Sequence, residues 1–291
     1  MTERPPEPLG ASAGPLRALA GLAGSLVWAD LPVFGEALGA FVGDVLRVRR
    51  AHVEASMERA GVSPLHAGAM YRRLGTSFFE LLSLGGAERD LAAHVALSPE
   101  TRALWNELAR PGRGIVVAAS HTGNWDLAAA ATATLLGPLT VVTKRLSLGA
   151  VDALWQWTRR RYGLSLVPPE GALAAVRPQL ARGRAVAMMI DQVPMTRAHA
   201  LRCTFLGQEA WVDRAPALVA ARTGAAFAVT AARRRDDGRQ ELAILHAERP
   251  VRAASWVDEA TVRATSALDR FVREHPADWL WMHRRWKDPG R

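Results

Sequence analysis

His121 and Asp126 stand five positions apart in Ser120-His121-Thr122-Gly123-Asn124-Trp125-Asp126, after the apolar run 114–119 and before the apolar stretch 127–136. Imidazole titrates near neutral pH, and a neighbouring carboxylate fixes its tautomer and stabilises the imidazolium, so such a pair suits removal of a proton from a hydroxyl. In that reading His121 is the base and Asp126 its orienter. No Ser or Cys occupies a Gly-x-Ser-x-Gly elbow, and the single cysteine, Cys203, lies far along the chain, which disfavours a covalent acyl-enzyme. The expected chemistry is direct attack by an acceptor alcohol on an activated ester. The resulting oxyanion needs donors, for which the backbone amides of Gly123 and Asn124 are candidates. A His and an Asp at this spacing also arise by chance. What singles this pair out is its place at a strand-to-helix junction, where Gly123 permits close backbone approach.

The elements that must position the pair read as alternating strands and helices. Strands are expected at 114–119, 139–143, 165–167 and 185–190, with helices at 151–162 and 172–181 between them, the βαβ pattern of a parallel sheet. After a loop over 191–211 come a helix at 215–223, a hairpin of strands 226–232 and 241–247, and a closing helix at 256–274. Ahead of the sheet, helices are expected at 16–48, 47–60, 63–84 and 99–109. Ser63-Pro64 has the residue types of a cap and first turn. The fold class is therefore α/β: one domain over 16–291 with a central mixed, largely parallel sheet flanked by helices. Residues 1–15 are a flexible Pro-rich start, 16–110 an N-terminal helical region, and 111–291 the core with an aromatic-basic ending. The segment 18–29 is uncharged but too short to span a bilayer, so the N-terminal region either lies on a membrane or packs on the core.

Net charge narrows the partners. With 37 Lys and Arg against 28 Asp and Glu, the formal charge is +9, which favours acidic partners: anionic lipid, an acidic carrier protein or nucleic acid. Nucleic acid ranks last, since neither zinc-finger spacing nor a ribonucleoprotein-type strand is present. The basic residues cluster at 159–161, 233–235 and 283–287. Scattered histidines and one cysteine give no metal-ligand spacing, and the proposed step needs no metal and no cofactor.

Several separated segments resemble the late acyltransferases of lipid A biosynthesis, the lauroyl and myristoyl transferases of the His-x4-Asp/Glu superfamily. His121-Thr122-Gly123-Asn124-Trp125-Asp126 resembles the His-x4-Asp box, and 279–287 resembles the Trp-x-His-Arg-Arg-Phe/Trp-Lys ending. Met189-Ile190-Asp191-Gln192, Phe205-Leu206-Gly207 and Phe78-Phe79-Glu80 resemble further family segments. The resemblance implies a glycerolipid-acyltransferase-like fold and transfer of a fatty acyl chain, from acyl carrier protein or acyl-CoA, to a hydroxyl of a membrane glycolipid at the cytoplasmic face of the inner membrane. A lipid A precursor is the first expectation for the acceptor. Mannosylated inositol lipids, or a catalytically inactive lipid-binding homologue, are the alternatives. His121 and Asp126 carry over as the catalytic pair, and Asn124, Lys144 or Arg145, Asp191 and Arg284 as substrate-binding positions. Val193 departs from the family's second acidic residue, and Thr143-Lys144-Arg145-Leu146 from its single Arg. Pro169-Glu170-Gly171 lacks the Thr and Arg that would make it a glycerol-phosphate motif.

Overall fold

The computed structural model describes residues 14–110 and 112–289, so the Pro-rich start falls almost wholly outside the described residues. Ahead of the sheet come α1 (Gly14–Ser25), α2 (Leu31–Ala40) continued by a π-helical turn (Phe41–Val45), α3 (Arg50–Arg59), α4 (His66–Gly86) and the single turn α5 (Leu91–His94). Next are β1 (Val95–Leu97), α6 (Pro99–Leu108), β2 (Ile115–Ala119), α7 (Trp125–Leu135), β3 (Leu139–Val142) and α8 (Gly149–Arg161). They are followed by β4 (Ser165–Val167), α9 (Ala172–Ala181), β5 (Ala185–Met189), β6 (Ala200–Phe205) and β7 (Gln208–Asp213). The chain closes with α10 (Ala215–Thr223), β8 (Ala226–Arg234), β9 (Gln240–Glu248) and α11 (Trp256–Glu274).

Seven strands form one mixed sheet in the order β1-β9-β8-β2-β5-β3-β4, parallel except where β8 and β9 pair as an antiparallel hairpin. β2 lies at its centre and is apolar throughout, as a strand covered on both faces must be. Its alternate residues feed two cores. Val116 and Ala118 face α9, α10 and α11, whereas Ile115 and Val117 face α6 and α7. The chain leaves β2, skips over β5 to β3, and returns, which makes the carboxyl end of β2 the point where the connections diverge and a crevice opens.

The N-terminal helical reading holds, but the expected helix over 16–48 is broken. α1 and the α2 segment meet at a bend of 110°, and Pro32 sits in the first turn of α2, where its missing N–H costs no intrahelical bond. α2 packs on α4 through glycines. A Cβ on Gly35 would lie 2.3 Å from Thr76 Cα, and one on Gly39 would lie 2.2 Å from the Tyr71 carbonyl oxygen. Only hydrogen in place of a side chain lets the two backbones approach this closely. The opposite face of the same segment leaves Val33, Phe34, Phe41 and Val45 exposed. Among the described residues no single helix is long and apolar enough to cross a membrane.

The expected loop over 191–211 contains the β6–β7 hairpin, which lies outside the main sheet. Its two-residue turn, Leu206-Gly207, has both φ angles positive, at 53° and 75°. That geometry matches the right-handed twist of the strands, and it normally selects Asn-Gly. The Leu206 amide donates to the Asp269 carboxylate on α11, which ties the turn down.

Candidate active site

The register of β2 on β5 builds the site. Ala119 pairs with Met189, so the residues two positions past each strand end, His121 and Asp191, come out side by side at the carboxyl edge. His121 Nδ1 donates to Asp191 Oδ1 at 2.9 Å, and the His121 backbone amide donates to Asp191 Oδ2 at 2.8 Å. The Trp279 indole N–H adds a third donor to Oδ2 at 2.9 Å. Burial works against charge on the imidazole, but the Asp191 carboxylate outweighs it and raises His121 above the ordinary value. Burial alone would likewise lift the Asp191 carboxyl. The His121 charge, together with hydrogen bonds from its side chain, its amide and Trp279, instead holds that carboxyl at about 2. With Nδ1–H committed to Asp191, Nε2 carries the lone pair. Its neighbour is the Gln192 side-chain amide at 3.3 Å, a loose contact at the position a substrate hydroxyl would take.

Asp126, expected as the orienter of His121, occupies a different position. It lies in the first turn of α7, and that helix carries its carboxylate toward α8, where Arg159 Nε donates at 2.7 Å and the Trp155 indole at 2.8 Å. Arg159 also donates to Thr143 Oγ1 at 3.1 Å. The charges of Asp126 and Arg159 act on the imidazole with opposite signs. Asp191, read as substrate-binding, is therefore the residue that sets the imidazole's tautomer, and the structure engages Asp126 with Arg159.

The Gly123 and Asn124 amides are not available to an oxyanion. Gly123 N–H donates to the Asp278 carbonyl at 2.7 Å, and Asn124 N–H to Gln240 Oε1 at 3.1 Å. The side chain of Asn124 is equally committed, because its Oδ1 caps α7 by accepting from the Leu127 amide at 3.0 Å and its Nδ2 donates to Glu80 Oε2 at 2.8 Å. Glu80 is buried and held by both terminal nitrogens of Arg234, each at 2.8 Å. Asn124 therefore has no polar group left for substrate. It belongs to a buried network that fixes where α7 starts.

Lys144 and Arg145 lie exposed after β3, and no ion pair forms to either among the described residues. Arg159 is a cation that does reach the site, and in the sequence it is visible only as one member of the basic cluster 159–161. The C-terminal aromatic-basic segment is also largely interior: Trp279, Trp281 and Arg285 are fully buried. The segment runs against the His121 loop, with the Leu280 amide donating to the His121 carbonyl at 3.1 Å. Burial, partly opposed by Asp191 and reinforced by Arg285, pushes His283 down to about 4, so its imidazole is neutral beside the site. Arg284 points outward and exposed, whereas Arg285 donates to the Trp211 carbonyl at 2.6 Å.

Two apolar cavities meet at this point. One, about 60 Å³, runs between α7 and the sheet and is lined by Ser120, Trp125, Asp126 and Arg159 at its outer end. The other, about 280 Å³, lies between α2, α4 and the start of α7. Trp125 and Asp126 line both, and the Trp125 ring meets the edge of the His121 ring at 5.1 Å between centroids. The arrangement sets a proton acceptor beside the Trp125 ring that lines both hydrocarbon-walled spaces.

Residues 69–288 match the family model of bacterial lipid A biosynthesis acyltransferases. The chain is also similar to the phosphatidylinositol mannoside acyltransferase of Mycolicibacterium smegmatis (strain ATCC 700084 / mc(2)155), 26% identical over 194 residues, covering 63% of this chain and 60% of that protein. A protein of the same name from Mycobacterium tuberculosis (strain ATCC 25618 / H37Rv) is 29% identical over 185 residues, covering 60% of this chain and 55% of the relative. The matched segment thus spans less than two thirds of either relative's length.

Proposed function

The chain belongs to the bacterial lipid A biosynthesis acyltransferase family, and on that premise we propose that it moves a fatty acyl chain from an acyl thioester to a hydroxyl of a membrane glycolipid. The observation that carries this reading is the Asp191–His121 pair, whose imidazole lies against the Trp125 ring that lines two apolar cavities. The acceptor hydroxyl displaces Gln192 from Nε2 and gives up its proton there. Its oxygen forms the new C–O bond, the C–S bond breaks, and the proton returns from Nε2 to the departing thiolate. With the Gly123 and Asn124 amides engaged, the Gln192 amide is the donor nearest the developing oxyanion. The aliphatic part of the donor enters the cavity under α7.

Both similar proteins are named as phosphatidylinositol mannoside acyltransferases, which favours a mannosylated inositol lipid over a lipid A precursor as acceptor. The exposed apolar face of the α2 segment, within a chain of net charge +9, supports peripheral attachment to an anionic membrane surface. Purified protein, acyl-CoA or acyl carrier protein donors and a panel of the two glycolipid classes, read by mass spectrometry, test the proposal. Transfer that disappears in His121→Ala supports it. A His121→Ala protein that transfers at the wild-type rate refutes it.

A further inference from the structure

The larger cavity, between α2, α4 and the start of α7, is a cleft rather than a sealed void. Leu38, Val42, Leu74, Phe78, Trp125 and Trp155 line it, and each is half-buried. Polar groups that reach its wall are already engaged. The Tyr71 hydroxyl donates to the Val48 carbonyl, and the Ser77 hydroxyl to the Arg73 carbonyl at 2.9 Å. Asn124 is committed to Glu80 and the α7 cap, and Asp126 to Arg159 and the Trp155 indole. Water in such a space needs two or more polar partners and finds few, whereas a hydrocarbon needs none.

Three features point to the bilayer as the source of that hydrocarbon. The α2 segment supplies one wall through Leu38, Gly39 and Val42, while its outer face carries the exposed Val33, Phe34, Phe41 and Val45. A chain leaving a membrane against that face has only the helix edge to cross. Exposed Arg47 and Arg49 flank Val48, whose carbonyl Tyr71 holds, which sets two cations at the rim, the charge that suits a lipid phosphodiester. Trp125, also in the lining, stands against the His121 ring.

We propose that this cleft binds a fatty chain of the acceptor glycolipid, drawn sideways from the membrane, and so holds the acceptor beside His121. The inference rests on the acyl-transfer reading above and adds a binding site for its second substrate. The donor arrives on a water-soluble carrier, whereas the acceptor is anchored in the bilayer. The acceptor is therefore the substrate that a wall exposed to the membrane serves.

The test is photolabelling by phosphatidylinositol with a diazirine at the end of one fatty chain, presented in phosphatidylglycerol vesicles, with the labelled residues mapped by mass spectrometry. An S-alkyl thioether of coenzyme A with the same chain and diazirine is the donor control. The expected result is lipid adducts on Val42, Leu74 or Phe78 in the wild type. In Leu74→Trp and Leu38→Trp, each checked for folding by thermal melt, the indole takes the room of at least two methylenes and labelling falls by about tenfold. The variants fill the cleft from opposite walls, so either serves if the other fails to fold. Lipid adducts confined to the outer face of α2, labelling that the folded variants retain, or cleft adducts from the thioether in place of the lipid overturn the inference. Acyl transfer to glycolipids by the same preparation decides the underlying reading separately. Transfer with an unlabelled cleft overturns the role of the cleft alone, and absence of transfer from either donor overturns the reading, and the acceptor as occupant with it.

Discussion

Replacing Asp191 by Asn should separate the partner of His121 from its neighbour in the sequence motif. The amide oxygen of Asn can still accept from Nδ1, so the ring keeps its place, but the negative charge that overrides burial is lost. The imidazole should then titrate below its ordinary value, near 6.5 for an unperturbed histidine, and its conjugate acid loses its counter-charge in the transition state. Removing the carboxylate of a comparable dyad lowers kcat by about ten-thousandfold, which sets the scale expected here. The pH profile of kcat/KM is the sharper readout. In the wild type, activity rises with pH through a midpoint above the ordinary imidazole value, because the base must lose its proton. In Asp191→Asn the midpoint moves down. Asp126→Asn should also lower the rate, by releasing Arg159, and should move the midpoint down by much less than Asp191→Asn does, since it removes the weaker of the two raising charges and leaves Arg159 unopposed at the ring. Stability follows the same pair. A carboxyl held at about 2 rather than about 3.9 contributes roughly 2–3 kcal/mol, present above about pH 4 and lost as the pH falls toward 2. The raised imidazole contributes below about pH 6.5, and that contribution is lost as the pH rises through its folded value. The pair's shared contribution is therefore largest between those limits. If Asp191→Asn keeps the wild-type midpoint and rate while Asp126→Asn shifts the profile, the orienting role returns to Asp126.

Further outcomes follow from the same contacts. Arg159→Ala leaves the buried Asp126 carboxylate without its counter-charge and should cost about 3–5 kcal/mol in chemical denaturation, part of which Asp126→Asn in the same chain recovers. Asn124→Ala removes the α7 cap and leaves Glu80 Oε2 with Arg234 as its donor, for a loss of about 1 kcal/mol by the same measurement; a neutral result would deny the cap its weight. Gly39→Val forces α2 off α4 and should open the N-terminal segment to limited proteolysis at temperatures where the wild type resists. Phe34→Ser with Phe41→Ser should weaken flotation with anionic liposomes while the melting temperature stays within a few degrees, as expected of residues already in water.

Much of the architecture is legible because local signals agree with it. The run at Ile115–Ala119, the capping Asn124 and the alanine-rich stretch after it specify strand, turn and helix without help from the rest of the chain. The partner of His121 is not legible in the same way. His121 and Asp191 each stand two residues past a strand, but their meeting depends on β5 lying beside β2 with β3 displaced outward, and strand order is a property of the whole sheet. Asp126 is near in sequence, and one turn of helix carries it to α8 instead. Arg159 was hidden for a related reason: three consecutive arginines resemble a solvated surface, and helical geometry turns only the first of them toward the site. The β6–β7 hairpin lacks the usual turn residues, since Leu206-Gly207 holds its shape through the Asp269 carboxylate sixty-three positions away. The charge of the basic ending gives no sign that its tryptophans and Arg285 have interior partners.

The third hydrogen bond to Asp191 has a consequence for the order in which the protein becomes competent. Trp279 follows every strand of the sheet, so a nascent polypeptide whose sheet has already formed still holds that carboxylate one donor short and the His121 loop unbraced. The site is therefore completed late in synthesis, after both cavities have their walls.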